Sequence, residues 1–526
     1  MFKKKLNMVS AAILIIALTS CSFNIDNIKN RFADNSDKPQ EMAEPSELGS
    51  VANTVIIGMY DLDTFNPLMT KSETVKEAME FVYEPLFELN EQVQPEPVLA
   101  KDYGMSADGK TIVINLRDDV KWHDGEGFSA YDVEYAIGQI RSGKTSYTEL
   151  LKDVTSCSAE NVSTVAVTFN HPVPCAASLF TFPIIKDGTD MEEKMRPVGT
   201  GAYSFSGKIS TDRYMLNRFD YYYGGKPPID GIYIDEAPDK EHYMYMCGTG
   251  AFDLSTSKTV DLRTYTPKGS VKLNYYTSNK LIYLGINNAK TELSGMNTRL
   301  AMSQLIDKEY ITSSILYSRA EMTDVPINPS FWLYDGTKAQ TDTLSAEGHL
   351  RIDAWTDKDT GGYARTIGGS TQTLALELIV DKGSEEKMQI ADNIADKFNR
   401  YGIKTTVSPL EYNQYIQRVE TKNYDIMIGE YEIPATQDIS GLMGAGNIFN
   451  YNSDEMNMRR NQIGMTADTE SLKGLFAQFG EKFTSDIPFV PIAYTKECMM
   501  SSPKIENIKS PGEGRFYRDS YEWRLK

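Results

Sequence analysis

Apolar and polar residues alternate along short segments of the first half of the chain, at the period of a β-strand. The segment 111–116 has this alternation, and the apolar run 51–57 predicts the strand at which the ordered body begins. Ser129 is a helix N-cap residue with Asp132 three positions on, and apolar residues follow at helical spacing over 133–140. The first half therefore predicts strands mixed with helices.

In the second half of the chain, a strand, a helix, a strand, a helix and a strand follow one another with short connections. This order predicts right-handed crossovers and a parallel sheet, whose ligands lie beyond the carboxyl ends of the strands. Asp381 and Glu430–Tyr431 stand at two of those ends. The predicted strands are 374–380, 403–407 and 424–429, and the predicted helices follow Ser384 and span 412–419.

The amino terminus has the pattern of a bacterial lipoprotein signal. Three lysines at 3–5 precede an apolar run at 9–18, and Leu18-Thr19-Ser20-Cys21 resembles a lipobox. The apolar run is too short to span a bilayer. We therefore predict a signal peptide at 1–20, lipidation of Cys21, and a disordered polar tether at 21–50 that holds the body at the outer side of the cell membrane.

Composition limits the classes of partner. The 526 residues carry a formal net charge of −19, which becomes −22 once the three leader lysines are removed. Such an acidic protein is a poor candidate for binding nucleic acid, because phosphates require clustered lysine and arginine. The length predicts two or three domains, and we expect a monomer.

The sequence has no pattern of catalytic or metal-binding residues. It contains neither a GxxxxGK[ST] loop nor a GxSxG elbow, and no CxxC or HExxH spacing. Cys157 and Cys175 flank a predicted strand, so they either pair across it or remain buried thiols. The four histidines are scattered, at His123, His171, His242 and His349. We therefore predict that the chain is not an enzyme and has no metal or cofactor.

Nine segments in the correct order resemble the extracellular solute-binding proteins of family 5, the peptide, dipeptide and nickel receptors of ABC importers. The most specific is SADGKTIVINLRDDVKWHDGEGFSAYDV at 106–133, with its "H-D-G" turn and helix start. The segments are Leu62–Pro67, Val82–Leu89, Pro97–Ala100, Ser106–Val133, Pro197–Tyr203, Asn217–Tyr222, Lys226–Asp230, Arg299–Lys308 and Tyr424–Met427. Most of these residues, among them His123 and Arg299, are expected to have structural roles.

The resemblance implies an α/β fold of the type II periplasmic-binding-protein class, with two lobes joined by a hinge. The first lobe would comprise 51–285 and 490–526, with an extra subdomain at about 81–197, and the second lobe would comprise 286–489. Closure of the lobes around a ligand would give a membrane transporter a shape to recognise.

The resemblance also implies a ligand site between the lobes. Peptide-binding members hold the ligand's amino terminus with a carboxylate of the second lobe, which here corresponds to Asp438, with Glu430 and Glu432 as rivals. Tyr431 is the aromatic residue nearest to the family's tryptophan. Two further segments are candidates for contact with the ligand, namely Thr64-Phe65-Asn66 after the first strand and Trp332 in a "P-x-x-W-x-Y" segment.

The predicted function is capture of a small solute, a short peptide first of all, and its delivery to an ABC permease. Two alternatives stay open at this point. One is a receptor for nickel chelates or another non-peptide solute, and the other is a surface signalling or adhesion lipoprotein on the same fold.

Overall fold

A computed structural model describes residues 53–192, 196–258, 271–334, 336, 344–358 and 361–526. The predicted signal peptide 1–20, Cys21 and the tether 21–50 lie outside the described residues. Within the described ranges, no helix has both the length and the apolar character needed to cross a membrane.

Strands occur along most of the described chain. They are β1 Thr54–Met59, β2 Phe87–Leu89, β3 Pro95–Pro97, β4 Ala100–Met105, β5 Thr111–Leu116, β6 Val154–Asn161, β7 Thr164–Phe169, β8 Tyr203–Ser210, β9 Arg213–Arg218, β10 Gly231–Glu236, β11 Leu254–Thr256, β12 Lys272–Ile286, β13 Ala320–Met322, β14 Thr356–Lys358, β15 Gly362–Ile367, β16 Ser370–Thr373, β17 Ala375–Asp381, β18 Lys404–Leu410, β19 Ile426–Glu432, β20 Val490–Ser501, β21 Ile505–Glu506 and β22 Arg524–Leu525.

Helices are sparse before residue 290 and frequent after it. They are α1 Glu73–Met79, α2 Ala130–Arg141, α3 Lys240–Thr249, α4 Met296–Leu305, α5 Lys308–Tyr310, α6 Ala346–Ile352, α7 Glu385–Arg400, α8 Tyr412–Glu420, α9 Ser440–Met443, α10 Asp454–Gly464 and α11 Thr469–Asp486. The capping box predicted at Ser129 and Asp132 begins α2.

One eleven-stranded sheet runs through most of the described chain, in the order β18-β17-β19-β12-β20-β11-β1-β10-β9-β8, with β13 beside β20. Its two long central strands, β12 and β20, are antiparallel partners. β12 pairs with β19 through 280–286, whereas β20 pairs with β11 through 499–501. We call β12 and β20 the crossing strands, because they join the strands on one side of the sheet to those on the other.

The predicted strand–helix order in the second half is confirmed. β17 pairs in parallel with both β18 and β19, and α7 and α8 connect them. Ser384 caps α7 by accepting a hydrogen bond from the amide of Lys387. The third strand is observed at Ile426–Glu432 rather than 424–429, because its pairing with β12 continues as far as Glu432.

Three large apolar clusters pack around the sheet. One joins residues of 55–234 to Trp523 near the carboxyl terminus, so the two ends of the described chain share a core. The other two lie on opposite faces of β12, with Ile282 in one and Leu281 in the other, because successive residues of a strand face opposite sides. The predicted lobe boundaries stay a prediction.

Candidate functional site

Ends of strands from both parts of the sheet meet at the middle of the crossing strands. β11, parallel to β1, ends at Thr256, and Lys258 is two residues further on. From the other side β19 ends at Glu432, which is paired with Lys280 of β12. Because ligands of α/β sheets bind beyond the carboxyl ends of strands, this is the place where the fold offers a site.

Polar side chains with linked hydrogen bonds occupy this place. The Tyr276 hydroxyl donates to Glu497 Oε2 at 2.6 Å, and Lys280 Nζ donates to Glu497 Oε1 at 3.0 Å. Glu513 Oε2 accepts a hydrogen bond from the Asn279 amide at 3.0 Å. The crossing-strand site consists of Lys258, Tyr276, Lys280, Glu432, Glu497 and Glu513.

Lys258 lies between two of the carboxylates without close contact to either. Its Nζ is 3.7 Å from Glu497 Oε2 and 3.9 Å from Glu513 Oε1, distances at the long end for an ion pair. It is also 5.5 Å from the centre of the Phe516 ring. The ammonium is therefore held by charge more than by directed hydrogen bonds.

Burial and neighbouring charges shift the pKa of each buried group at the site. Burial opposes ionisation of Glu497, but Lys258 and Lys280 outweigh it and hold the pKa of Glu497 below its ordinary value. Burial raises the pKa of Glu513, and Lys258 offsets only part of that rise. Although burial opposes the charge of Lys258, Glu497 and Glu513 raise the pKa of its ammonium.

Two further carboxyl groups lie near the site, Glu77 on α1 and Glu80 directly after that helix. Glu77 accepts a hydrogen bond from the Thr256 hydroxyl at 2.5 Å, and burial raises the pKa of Glu77 to about 8. Glu80 accepts hydrogen bonds from the amides of Phe516 and Tyr517 at 2.9 and 2.8 Å, and burial raises its pKa to about 7. The region is thus richer in carboxyl groups than in cations.

The arrangement suits binding of a charged solute. Three carboxylates face two lysines in the crossing-strand site, so an added cationic group finds compensation there. No group of three or more histidine, cysteine or acidic residues that could hold a metal ion occurs in the described part of the chain.

The predicted second-lobe residues lie around the end of β19. Glu430 is exposed and forms an ion pair with Lys387 at 3.5 Å, whereas Glu432 points toward the crossing-strand site through its pairing with Lys280. Asp438 is exposed, and its two carboxylate oxygens accept from the amide and hydroxyl of Ser440 at 2.9 and 2.7 Å. Asp438 therefore forms a local turn with Ser440, immediately before Ile439, which is the N-cap residue of α9.

Tyr431 is half-buried on β19, and its hydroxyl lies against Gly441 of α9. Burial raises the pKa of Tyr431, the charge of Asp438 raises it further, and Lys152 opposes the rise. Glu430 and Glu432 are its neighbours on the same strand.

The predicted segment Thr64-Phe65-Asn66 is used inside the first core. Phe65 is 1 % exposed and packs against Phe205 and Tyr214 at centroid distances of 5.0 and 5.1 Å. The side chains of Thr64 and Asn66 accept hydrogen bonds from nearby amides of the same turn. These contacts account for the residue types by packing and turn formation, and a role in ligand binding stays a prediction.

Trp332 lies near the crossing strands in a half-buried position. Its amide donates to the carbonyl of Gln92 at 2.9 Å, and its ring borders a cavity of about 480 Å³ with Tyr275 and Tyr334 among the other lining residues. Trp332, predicted as a ligand-contact residue, thus lies beside open space, and its role in ligand binding stays a prediction.

His123, which the sequence analysis considered, has a structural role. His123 accepts from the Gly199 amide through Nδ1 at 3.2 Å, and its Nε2 is 2.9 Å from the Gly201 carbonyl. Burial lowers the pKa of His123 to about 4, so it is neutral at pH 7.

The alternative of a disulfide between Cys157 and Cys175 is wrong, because both are free thiols.

Sequence reasoning did not single out Lys258, Glu497 or Glu513. With 73 acidic residues in the chain, no carboxylate stands out by type, and no motif surrounds these three. The signal that could have found them is the strand register, which places Tyr276 opposite Glu497 and Lys280 opposite Glu432.

Comparison with known proteins shows the family and the fold. The family model for bacterial extracellular solute-binding proteins, family 5 Middle, matches residues 94–446. The chain is 20% identical to the oligopeptide-binding protein AppA of Bacillus subtilis, over 100% of this chain and 99% of that protein. It is 23% identical to the nickel-binding protein NikA of Staphylococcus aureus, over 87% and 93% of the two chains.

A solved structure of a nickel ABC transporter protein from Bacillus halodurans superposes with a TM-score of 0.74 at 16% identity, covering 90% of this chain and 100% of that one. This likeness shows the predicted fold, the two-lobed α/β fold of type II periplasmic binding proteins. The relatives are substrate-binding proteins of transporters and not enzymes, as predicted. The chain belongs to the bacterial extracellular solute-binding proteins of family 5.

Proposed function

We propose that the protein is a lipid-anchored receptor that captures short peptides between its lobes and delivers them to an ABC permease. The surplus of carboxylates at the crossing-strand site carries this proposal. Glu497 and Glu513 lie near Lys258, and Lys280 bonds Glu497 and stands opposite Glu432, so a positively charged group of a bound solute would meet more carboxylates than cations between the two sets of strands.

The choice of peptides over metal chelates has two supports. The match to an oligopeptide-binding protein covers both chains nearly completely. The described residues contain no group of three or more histidine, cysteine or acidic side chains placed to hold a metal ion, so a nickel chelate would have to bring most of its own ligands. Peptide backbones also offer strand-like hydrogen bonds that do not depend on side-chain identity.

Isothermal titration tests the solute class. We expect trialanine to bind and N-acetyl-trialanine to bind at least about 30-fold more weakly, because acetylation removes the positive charge. A nickel–histidine chelate serves as the comparison solute. Binding of the chelate with no binding of trialanine contradicts the proposal.

We further propose Asp438 as the anchor of the ligand's ammonium. Asp438→Asn keeps an oxygen that can accept the Ser440 amide, so the turn before α9 persists while the charge is lost. We expect a loss of about 2–5 kcal/mol in binding trialanine and little further loss for the acetylated peptide. Glu430→Gln and Glu432→Gln are the matched variants. If Asp438→Asn binds as wild type and Glu432→Gln does not, the anchor is Glu432.

Lipidation of Cys21 is proposed from the sequence pattern at 18–21. We expect Cys21→Ser to leave the membrane fraction and appear in the soluble extracellular fraction, because the acyl chains supply the anchoring free energy. Cell fractionation with immunoblotting measures this, and Ser22→Ala is the control. Retention of Cys21→Ser in membranes contradicts the proposal.

A further inference from the structure

The middle of β12 contains an irregularity in its pairing with β20. The register between the two strands shifts between Thr277 and Leu281, so residues 278–280 lie outside the regular ladder. Irregularities of this kind are frequent beside functional sites, where they redirect side chains. This one belongs to the crossing-strand site, because the amide of Asn279 donates to Glu513 at 3.0 Å.

A buried asparagine from another segment packs against this irregularity. Asn328 is 0 % exposed and lies in the segment that follows β13. Its Nδ2 donates to the Ser278 carbonyl at 3.1 Å and to Oδ1 of Asn279 at 2.9 Å. Because a buried amide is costly unless its hydrogen bonds are made, these contacts hold the segment of Asn328 in one position against β12.

The same residue begins the turn that carries Trp332. Oδ1 of Asn328 accepts from the Ser330 amide at 2.9 Å, and its carbonyl accepts from the Phe331 amide at 2.9 Å. A side-chain oxygen bonded to the amide two residues on is the contact of an Asx turn. Ser330, Phe331 and Trp332 border the cavity of about 480 Å³, as does Tyr276 of the crossing-strand site. Asn328 therefore fixes one wall of that cavity.

Asn328 is also tied to the loop between β19 and α9. Its amide donates to Oε1 of Gln437 at 2.9 Å, and Nε2 of Gln437 donates to Oδ1 of Asn279 at 3.4 Å. The Ile433 amide in turn donates to the Asn279 carbonyl at 2.9 Å. We call Asn279, Asn328 and Gln437 the amide network. It joins the loop that leads to Asp438, the Trp332 turn and the crossing strand.

We propose that Asn328 is a positioning residue for solute binding. Although it is wholly buried, it holds the Trp332 turn and the loop before Asp438 in a fixed geometry against the crossing-strand site. A site whose segments are already ordered loses less conformational freedom when the solute binds. The inference rests on the proposed solute-binding function.

Isothermal titration of network variants with trialanine tests this. We expect Asn328→Ala to bind trialanine about 3- to 10-fold more weakly than wild type, because the turn and the loop must then be ordered on binding. Gln437→Met keeps the length of the side chain but loses its hydrogen bonds, and should weaken binding in the same direction. Since both act through one network, the double variant should lose less affinity than the two single losses combined.

Asn287→Ala is the matched control. Asn287 is a buried asparagine directly after β12, and its Nδ2 donates to the carbonyls of Lys422 and Tyr424 at 3.0 and 2.9 Å. Urea unfolding should show comparable losses of stability for Asn287→Ala and Asn328→Ala, because each removes a hydrogen-bonded buried amide. We expect Asn287→Ala to bind trialanine as wild type does.

The outcomes separate this inference from the proposed function. Wild-type affinity in both Asn328→Ala and Gln437→Met, or an equal loss of affinity in Asn287→Ala, overturns the positioning role while peptide binding stands. If Asn328→Ala does not fold, the comparison of Gln437→Met with Asn287→Ala decides. If wild type itself does not bind trialanine, the proposed function fails and the positioning role fails with it.

Discussion

Glu77 shows how burial turns a carboxyl group into a pH-dependent element of stability. It is 6 % exposed on α1 and accepts a hydrogen bond from Thr256 at the end of β11. Burial raises the pKa of Glu77 to about 8, above its ordinary value of 4.5. Between these two pH values the folded protein keeps a proton that the unfolded chain has released, so stability falls as pH rises through this window.

We expect Glu77→Gln to be more stable than wild type at pH 8, by on the order of 2 kcal/mol, because glutamine keeps the acceptor oxygen and cannot ionise. The difference should shrink toward pH 4.5 and below, where the unfolded wild-type chain also takes up the proton. Urea unfolding at pH 5 and pH 8 measures the free energy of unfolding.

Glu73→Gln is the control for this prediction, because Glu73 lies on the same helix with its side chain 49 % exposed. It should leave the pH dependence nearly unchanged. Equal free energies of unfolding for Glu77→Gln and wild type at pH 8 would show that burial does not penalise the Glu77 charge.

Residue roles that depend on near neighbours in sequence could be predicted, and those that depend on distant pairing could not. Ser129 and Asp132 are three residues apart, and their capping box follows from that spacing. Lys258 and Glu497 come together only through the pairing of β11, β12 and β20. Without that register, nothing in the sequence separates Glu497 from other acidic residues.

At the scale of elements, the carboxyl end of α11 depends on a side chain from another helix. Arg299 of α4 is 5 % exposed and donates to the carbonyls of Asp486 and Ile487, both at 2.9 Å. It also donates to the carbonyls of Leu293 and Ser294. A single guanidinium thus satisfies carbonyl groups at the end of one helix and before the start of another.

We expect Arg299→Met to lower the free energy of unfolding by about 3–5 kcal/mol, because several buried carbonyls lose their donors. Arg299→Lys should recover part of this loss, since an ammonium donates fewer hydrogen bonds in a less fixed geometry. Urea unfolding measures both.

Arg400→Met is the matched control, because Arg400 ends α7 with its side chain 76 % exposed. It should cost less than 1 kcal/mol, as is usual for exposed ion pairs. A cost for Arg299→Met no larger than that of the control would refute the role of Arg299 in fixing α11.

Elements with a regular apolar period were predicted with nearly correct bounds. The helix after Ser384 buries Ile390, Ile394 and Phe398 on one face, and its observed range, Glu385–Arg400, agrees with the pattern. The return to the first lobe was expected at 490, and β20 begins there but extends over Val490–Ser501, because its antiparallel pairing with β12 continues across both parts of the sheet. Along so long a paired strand, apolar and polar residues do not alternate in a simple way, so the sequence pattern does not show where the strand ends.

At the scale of the whole molecule, the two crossing strands connect parts that have separate cores. One cluster is formed mainly by residues of 55–234 and the chain's end, and the other two mainly by residues of 281–494, with Leu89 and Val93 joining one of them. Largely separate cores joined by two strands allow a hinge movement at modest cost in packing. The carboxylate-rich site lies at these strands, where a solute would touch both parts.

We therefore expect peptide binding to close the molecule. A ligand that contacts both lobes stabilises the closed arrangement by its differential affinity for that state. Saturating trialanine should lower the radius of gyration by on the order of 1 Å, a change typical of hinge closure in proteins of this size. The measurement is small-angle scattering of the Cys21→Ser form, which lacks the predicted acyl chains.

N-acetyl-trialanine at the same concentration is the control, and its scattering profile should equal that of the ligand-free protein. A profile that does not change at saturation, with binding verified by titration, would mean that the solute is held without closure and that the permease must recognise something other than lobe position.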